Sequence, residues 1–353
     1  MDTLMADRPA PRLARPLLRP TRRGFLLGAA GATAAAALAA CGGDDGGPAA
    51  SAAAGDAGAF PVSVRDRYGT TTIERTPERV VCFGYNDHDT MLALGVVPVG
   101  LIQWIPEWKR GVGPWSLRAL GDARPELFSG SEIPFETIAA LRPDLILAVN
   151  HDLRAGDRDR LAEICPLVST PAGYPSYGLP PDVQALQVGA ALGLADRTRG
   201  LVEQVARTYA DARRRNPSFA GRQAMIVTPA GDGQMSVFAD TDTRGRLVRS
   251  LGFRQPAAVA GMVGDDFYAY ISPERFDVMD VDVLIVLAYD QTTTGRLASM
   301  PTYQRLGVVR RGATVIVDDV DTAMALAAST VTSTPYALGD LVPRLRAALA
   351  KRA

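Results

Sequence analysis

The chain has 353 residues, 47% apolar and 22% charged, with 3 cysteines and 38 basic against 38 acidic side chains. The length suits about two domains, and the apolar share is that of a packed globular protein rather than a disordered one. Balanced charge gives no basic field for nucleic acid, three cysteines make no disulfide scaffold, and neither Lys109 nor Lys351 stands in a GK[ST] phosphate loop.

Residues 1–40 hold six arginines and two aspartates, whereas the remainder is net acidic. Thr21-Arg22-Arg23-Gly24-Phe25-Leu26-Leu27 leads into an Ala/Gly/Leu run that ends at Ala40. A charged n-region before a short apolar h-region is the pattern of an export signal, and the arginine pair resembles a twin-arginine leader. Leu38-Ala39-Ala40-Cys41-Gly42 resembles the bacterial lipoprotein cleavage box, so Cys41 is expected to carry the acyl chains. Residues 42–59 contain no bulky apolar side chain and read, with Cys41, as a flexible tether over 41–59. About eighteen such residues span on the order of 23 Å. The chain is therefore expected outside the cytoplasm, lipid-anchored to the outer face of the cytoplasmic membrane.

Residues 60–75 alternate apolar and polar around Tyr68-Gly69, a hairpin signal. Val80–Phe83 and Pro98–Ile102 read as strands, with a helix between them over Asp87–Leu94 that stops at Gly95. A short helix over Glu136–Leu141, a strand at Leu145–Val149, a helix at Asp157–Ile164 and a strand at Leu167–Ser169 follow. Residues 182–215 hold few breakers, and Leu201, Val202, Val205 and Tyr209 recur at helical spacing, so a short helix and then a long one over Asp196–Arg215 are predicted. The sheet pattern restarts at Ala224–Val227, Met235–Phe238, Val283–Leu287 and Thr314–Val317. Helices are predicted over Gly245–Leu251 and Pro335–Ala350. Alternation of strand and helix predicts an α/β fold: two Rossmann-like lobes (60–181 and 217–353) with mainly parallel sheets, joined by the helices of 182–216.

Residues 77–100, 132–149 and 272–286, with LVRSLGF (247–253) and STPYAL (333–338), resemble the iron–siderophore class of substrate-binding proteins of ABC importers. The resemblance runs from about residue 60 to 350. It implies two lobes on a rigid connecting helix with a ligand cleft between them, and delivery of a ferric siderophore, haem or cobalamin to a membrane permease. In open α/β sheets ligands sit beyond the carboxyl ends of the strands. A helical hinge resists bending, so lobe closure is expected to be small.

The loops leaving the strands are rich in aromatics, which offer wide contact area at low entropy cost. Candidate ligand residues are Tyr85, Asn86, Trp104 (with Trp108 and Trp115), Tyr174 and Tyr177 in the first lobe. In the second they are Phe238, Tyr268, Tyr270 and Tyr289. Arg154 and Arg244 are candidate contacts for an oxygen-rich ligand. The siderophore supplies the iron ligands, so no resident cofactor is expected. Glu136 and Glu274 each open a helix, where the helix dipole favours acids. The resemblance also implies that one Glu per lobe at these positions docks on the permease. His88, among Asp87 and Asp89, reads as a capping or surface residue, and a haem-ligand role for His88 or His151 is the alternative. Cys82 and Cys165 are expected as free thiols, with a disulfide as the alternative. No G-x-S-x-G, S-x-x-K or H-E-x-x-H pattern occurs, which argues against the rival reading of an exported α/β hydrolase. The resulting expectation is a monomeric, non-enzymatic binder of a ferric siderophore, without nucleic-acid partners.

Overall fold

The computed structural model describes residues 60–130, 132–174 and 178–351. The leader, Cys41, the tether and Tyr177 lie outside the described residues. β1 (Val62–Asp66) and β2 (Gly69–Ile73) form an antiparallel hairpin with Asp66 opposite Gly69. Asp66 is buried and accepts from Tyr68 N, Ser169 N and Ser169 Oγ, which fastens the hairpin to the end of the first sheet.

That sheet grows from β3 (Val80–Cys82), α1 (Asp87–Ala93), β4 (Gly100–Ile102), α2 (Pro114–Leu120), β5 (Glu126–Phe128), α3 (Phe135–Ala140), β6 (Leu145–Ala148), α4 (Ala155–Ile164) and β7 (Leu167–Ser169). Its order is β5-β4-β3-β6-β7 and every pairing is parallel. The unbroken apolar runs at β3 and β6 are buried on both faces, as a parallel sheet requires. Val80, Cys82, Leu145 and Leu147 pack on one side with Met91 of α1. Val81, Ile146 and Ala148 pack on the other with Ile138 of α3 and Leu161 of α4. This is the period of two expected of strand side chains.

α5 (Pro181–Ala191) and α6 (Ala195–Arg215) follow. At 21 residues α6 is about 32 Å long. Its start packs with the first lobe through Leu194 and Leu201, and its end with the second through Tyr209 and Ala212. The crossing of α5 and α6 is tight. A Cβ on Gly189 would lie 1.9 Å from Thr198 Oγ1.

The second lobe contains β8 (Ala224–Pro229), β9 (Met235–Phe238), α7 (Thr243–Ser250), α8 (Ala257–Val263), β10 (Tyr268–Ile271), β11 (Val283–Leu287), α9 (Gln291–Ala298), α10 (Pro301–Gln304), α11 (Gly307–Arg310), β12 (Thr314–Val317), α12 (Val320–Ala328) and α13 (Ser333–Ala350). The sheet order is β10-β9-β8-β11-β12. β8, β11 and β12 are parallel to one another, β9 pairs antiparallel with β8, and β10, antiparallel to β9, points the same way as β8. Ile226, Ile285 and Leu287 face Leu247 of α7 and Leu341 and Leu345 of α13, while Met225, Val227, Leu284 and Val286 face Phe276 and Met279. The fold is thus α/β, with two lobes of mainly parallel sheet bridged by one long helix. Among the described residues no helix is long and apolar enough to cross a membrane.

Candidate functional site

The loops at the C-terminal ends of the two sheets meet. Trp108, after β4, donates Nε1–H to Asp321 Oδ1 in the first turn of α12 at 2.7 Å. Asn86, after β3, donates Nδ2–H to Ala328 O. Ile105 and Trp108 pack on Met324, with Trp104, Trp115, Tyr289 and Val320 around them, and the ring of Trp115 lies 5.5 Å from that of Tyr336. An aromatic and apolar floor therefore joins the lobes directly beneath their strand ends.

Beside it the sequence Asp87-His88-Asp89 is wholly buried at the start of α1. His88 is neither a cap nor a surface residue, which corrects the expectation. Burial pushes its pKa down, against the pull of Asp89. Asp87 accepts from Val149 N, Asn150 N and Gln184 Nε2, and burial raises its pKa to about 6 despite those bonds. It fills the space above Gly84, where a Cβ would stand 1.8 Å from Asp87 Oδ2. Asp89 accepts from Trp115 Nε1 at 2.8 Å, Ser116 Oγ at 2.5 Å and, across the lobes, Thr330 Oγ1 at 2.6 Å.

In the first lobe Tyr85, Trp104 and His151 stand together. Tyr85 stacks on the His151 ring at 5.2 Å and 11°, and its centroid lies 6.2 Å from that of Trp104. Burial lowers the His151 pKa to about 4, so the imidazole is neutral at pH 7. Trp104 Nε1 and His151 Nδ1 have no hydrogen-bond partner among the described residues. Arg154 is exposed at the N-cap of α4. Tyr174 packs on the first-lobe core and its carbonyl accepts from Arg67. Asn86 departs from the expected ligand set. It is buried, and its carboxamide, besides donating to Ala328 O, accepts from Asn150 Nδ2 and Gln184 Nε2, so it serves the lobe junction.

In the second lobe Arg244 lies 3.5 Å above the Phe238 ring and is held by Asp242 through Nε (2.7 Å) and Nη2 (2.9 Å). It also bonds Tyr289, whose backbone is left-handed (φ +62°) and whose side chain reaches the junction cluster. Phe238 itself is buried. Tyr268 and Tyr270 are not loop residues but stand on the edge strand β10, with their rings edge-to-face at 5.3 Å. The two sets therefore rise from opposite lobes. Thr330 and Asp321 carry no local signal in the sequence, because their partners lie 241 and 213 positions away.

Glu136 is exposed in the first turn of α3. Glu274 is exposed in the first turn of a 3-10 helix, Pro273–Met279, rather than an α-helix, and the Ser272 hydroxyl lowers its pKa. Cys82 and Cys165 are free thiols. Burial pushes the Cys165 pKa up to about 12. Among the described residues no group of three His, Cys, Asp or Glu could hold a metal ion.

Residues 80–319 match the family model described as periplasmic binding protein. The Fe(3+) dicitrate-binding periplasmic protein FecB of Escherichia coli (strain K12) is 29% identical over 210 residues, 58% of this chain and 65% of that protein. The chain thus spans just under two thirds of FecB. The probable siderophore-binding lipoprotein YfiY of Bacillus subtilis (strain 168) is 24% identical over 272 residues, 73% of this chain and 80% of YfiY. A periplasmic solute binding protein from Mycobacterium smegmatis str. MC2 155 has a TM-score of 0.75 at 29% identity, covering 82% of this chain and 98% of that one. Streptococcus pneumoniae TIGR4 PiaA in complex with ferrichrome shares the fold, with a TM-score of 0.71 at 22% identity over 82% of this chain and 99% of that one. The family match covers well over half the sequence, and the two lobes meet at their strand ends beside one bridging helix: the chain belongs to the periplasmic binding protein family.

Proposed function

We propose that the chain is the extracytoplasmic substrate-binding lipoprotein of an ABC importer, capturing a ferric siderophore and passing it chemically unchanged to a membrane permease. The observation that carries this reading is the pair of aromatic sets on facing lobes: Tyr85, Trp104 and His151 against Tyr289 and the Arg244–Phe238 stack. Flat rings with polar tips suit a bulky chelate whose metal is already fully coordinated. Arg154 and, on the β10 edge, Tyr268 complete the wall in this proposal, with Tyr174 supporting its loop from behind. Relatives named for binding Fe(3+) dicitrate or siderophore support the same class of ligand. Cys41 anchors the protein through its acyl chains after export by a twin-arginine leader, and the protein works as a monomer with no enzymatic turnover. Glu136 and Glu274, one exposed on each lobe, dock on the permease.

Adding ferric siderophores to the protein is expected to quench the fluorescence of Trp104 and its neighbours, with no change in the chelate on recovery. Absence of binding across hydroxamate, catecholate, citrate, haem and cobalamin panels overturns the reading. Glu136→Ala with Glu274→Ala is expected to abolish uptake while leaving ligand affinity unchanged, and a parallel loss of affinity would remove the docking role. Cys41→Ser is expected to release the protein from membranes.

A further inference from the structure

We infer that α12 is a clamp that sets the angle between the lobes, with Asp89, Asp321 and Thr330 as positioning residues for the ligand. The effect on the ligand rests on the proposed function; the effect on the lobes does not. α12 belongs to the second lobe by sequence, yet it is buried against both. Ala323, Ala325 and Leu326 pack with Leu247 of α7 and Leu341 of α13. Val320, Asp321, Met324 and Ala328 form another stripe of the helix at helical spacing. That stripe meets the first lobe. Met324 packs with Ile105 and Trp108, with Val320 beside them, Asp321 accepts from Trp108 Nε1, and Ala328 O accepts from Asn86 Nδ2.

The carbonyls that close a helix need partners from outside it. Ala325 O accepts from Ser329 N and Ser333 Oγ, Leu326 O from Ser329 Oγ, and Ala327 O from Thr243 Oγ1, all within the second lobe. Ala328 O is completed from the other lobe, by Asn86. Ser329 is left-handed (φ +49°), a conformation that a non-glycine residue keeps only where its surroundings hold it. Here Thr330 N donates to Ser333 Oγ and Ser333 N to Thr330 Oγ1. The Thr330 hydroxyl proton is then directed to Asp89 Oδ2 at 2.6 Å. Asn86, Asp89, Trp108 and Thr330 are buried, so water does not compete for these bonds, and parting them leaves buried polar groups unpaired. A single bridging helix can still bend and twist about its own axis. The contacts at both ends of α12 oppose those motions, and none of them involves a residue of α6. Trp108 also meets the ring of Trp104 edge-on at 6.0 Å, which seats the aromatic wall of the cleft on the clamp. A cleft already held at its working angle has less to order when a ligand enters.

The test pairs two readouts on the intact protein. Spin labels at the exposed positions of Glu163→Cys on α4 and Arg346→Cys on α13, in a Cys165→Ser background, report the distance between the lobes. Dissociation constants for ferrichrome and for ferric dicitrate are read by tryptophan quenching. With the clamp intact, one narrow distance is expected, unchanged by either probe. Thr330→Val with Asp321→Ala is expected to broaden the distribution without ligand and to let a bound probe narrow it. With about a tenth of that population at the competent angle, affinity falls about 10-fold. Thr330→Ser with Asp321→Asn, which keep the hydroxyl and the acceptor oxygen, are expected to restore both readouts. Should the double variant fail to fold, as judged by urea unfolding, Thr330→Val alone carries the same test with a smaller loss. A distance that the substitutions leave unchanged, or one that a probe already narrows in the unsubstituted protein, overturns the clamp. A broadened distance with unaltered affinity overturns the positioning role. Failure of both probes in the unsubstituted protein counts against the siderophore reading, and the distance without ligand still decides the clamp.

Discussion

In the first lobe Asp66, Asp87 and Asp89 are buried and collect hydrogen bonds from strand ends and side chains remote in sequence, whereas in the second Asp290 and Asp319 stand at helix starts and accept the N–H three residues on. The same side chain thus does two jobs. A buried carboxylate ties distant elements together but is costly to desolvate, so Asp87 titrates near 6. A capping carboxylate acts locally and stays hydrated, so the Thr293 N–H and hydroxyl hold Asp290 below the usual range. The first lobe therefore buries the acids that tie its distant elements together, whereas the second combines local caps with acids that stay wet while they bridge, Asp280 to Val308 N and Asp282 to Gln223 N.

This contrast is broken most directly at Asp89. Asp89→Ala leaves Trp115 Nε1, Ser116 Oγ and Thr330 Oγ1 without their acceptor, two of them within the first lobe and one across the junction. The expected loss is about 3 kcal/mol or more in urea unfolding. A loss below about 1 kcal/mol would erase the distinction between the lobes.

A second way to sharpen it uses pH. The folded His151 titrates near 4, below the imidazole of an unfolded chain. The unfolded state therefore binds the proton first, and stability falls as pH drops from about 6.5 towards 4. Asp87 contributes with the opposite sign. Its raised pKa makes the folded state bind the proton first, so its contribution is full below about pH 4 and is lost as pH rises through 6. His151→Phe is expected to lessen the acid-side loss by roughly 2 kcal/mol between pH 7 and pH 4, read from urea midpoints at each pH. An unchanged pH profile would show that the imidazole is not held neutral.

The smallest effect is expected at a cap. Asp290→Ala removes the acceptor for Thr293 N and is expected to cost about 1 kcal/mol, with no change in the coupling between lobes. A cost matching that of Asp89→Ala would mean that caps and buried acids are equivalent here.

The central strands were legible because short apolar runs such as VVC, LILA and VLIVL, set between turns, have few other uses. α6 was legible from its spacing. The edge strand β10 was not, because Tyr268 and Tyr270 are partly exposed and resemble loop aromatics. α12 carries no such mark, because most of its residues are buried, which removes the periodicity of a helix with one wet face. The aromatic set at Tyr85 and Trp104 could be anticipated from strand-end loops. The burial of Asn86 and His88 could not, since it depends on α5 and on the α12–α13 turn, segments far away in sequence.

Because α6 gives Leu201 to one core and Tyr209 and Ala212 to the other, neither half is a self-sufficient module. A recombinant cut anywhere along this helix strands apolar side chains on at least one fragment. Lobe swaps between relatives must therefore carry the entire helix with one parent and rebuild its seam with the other.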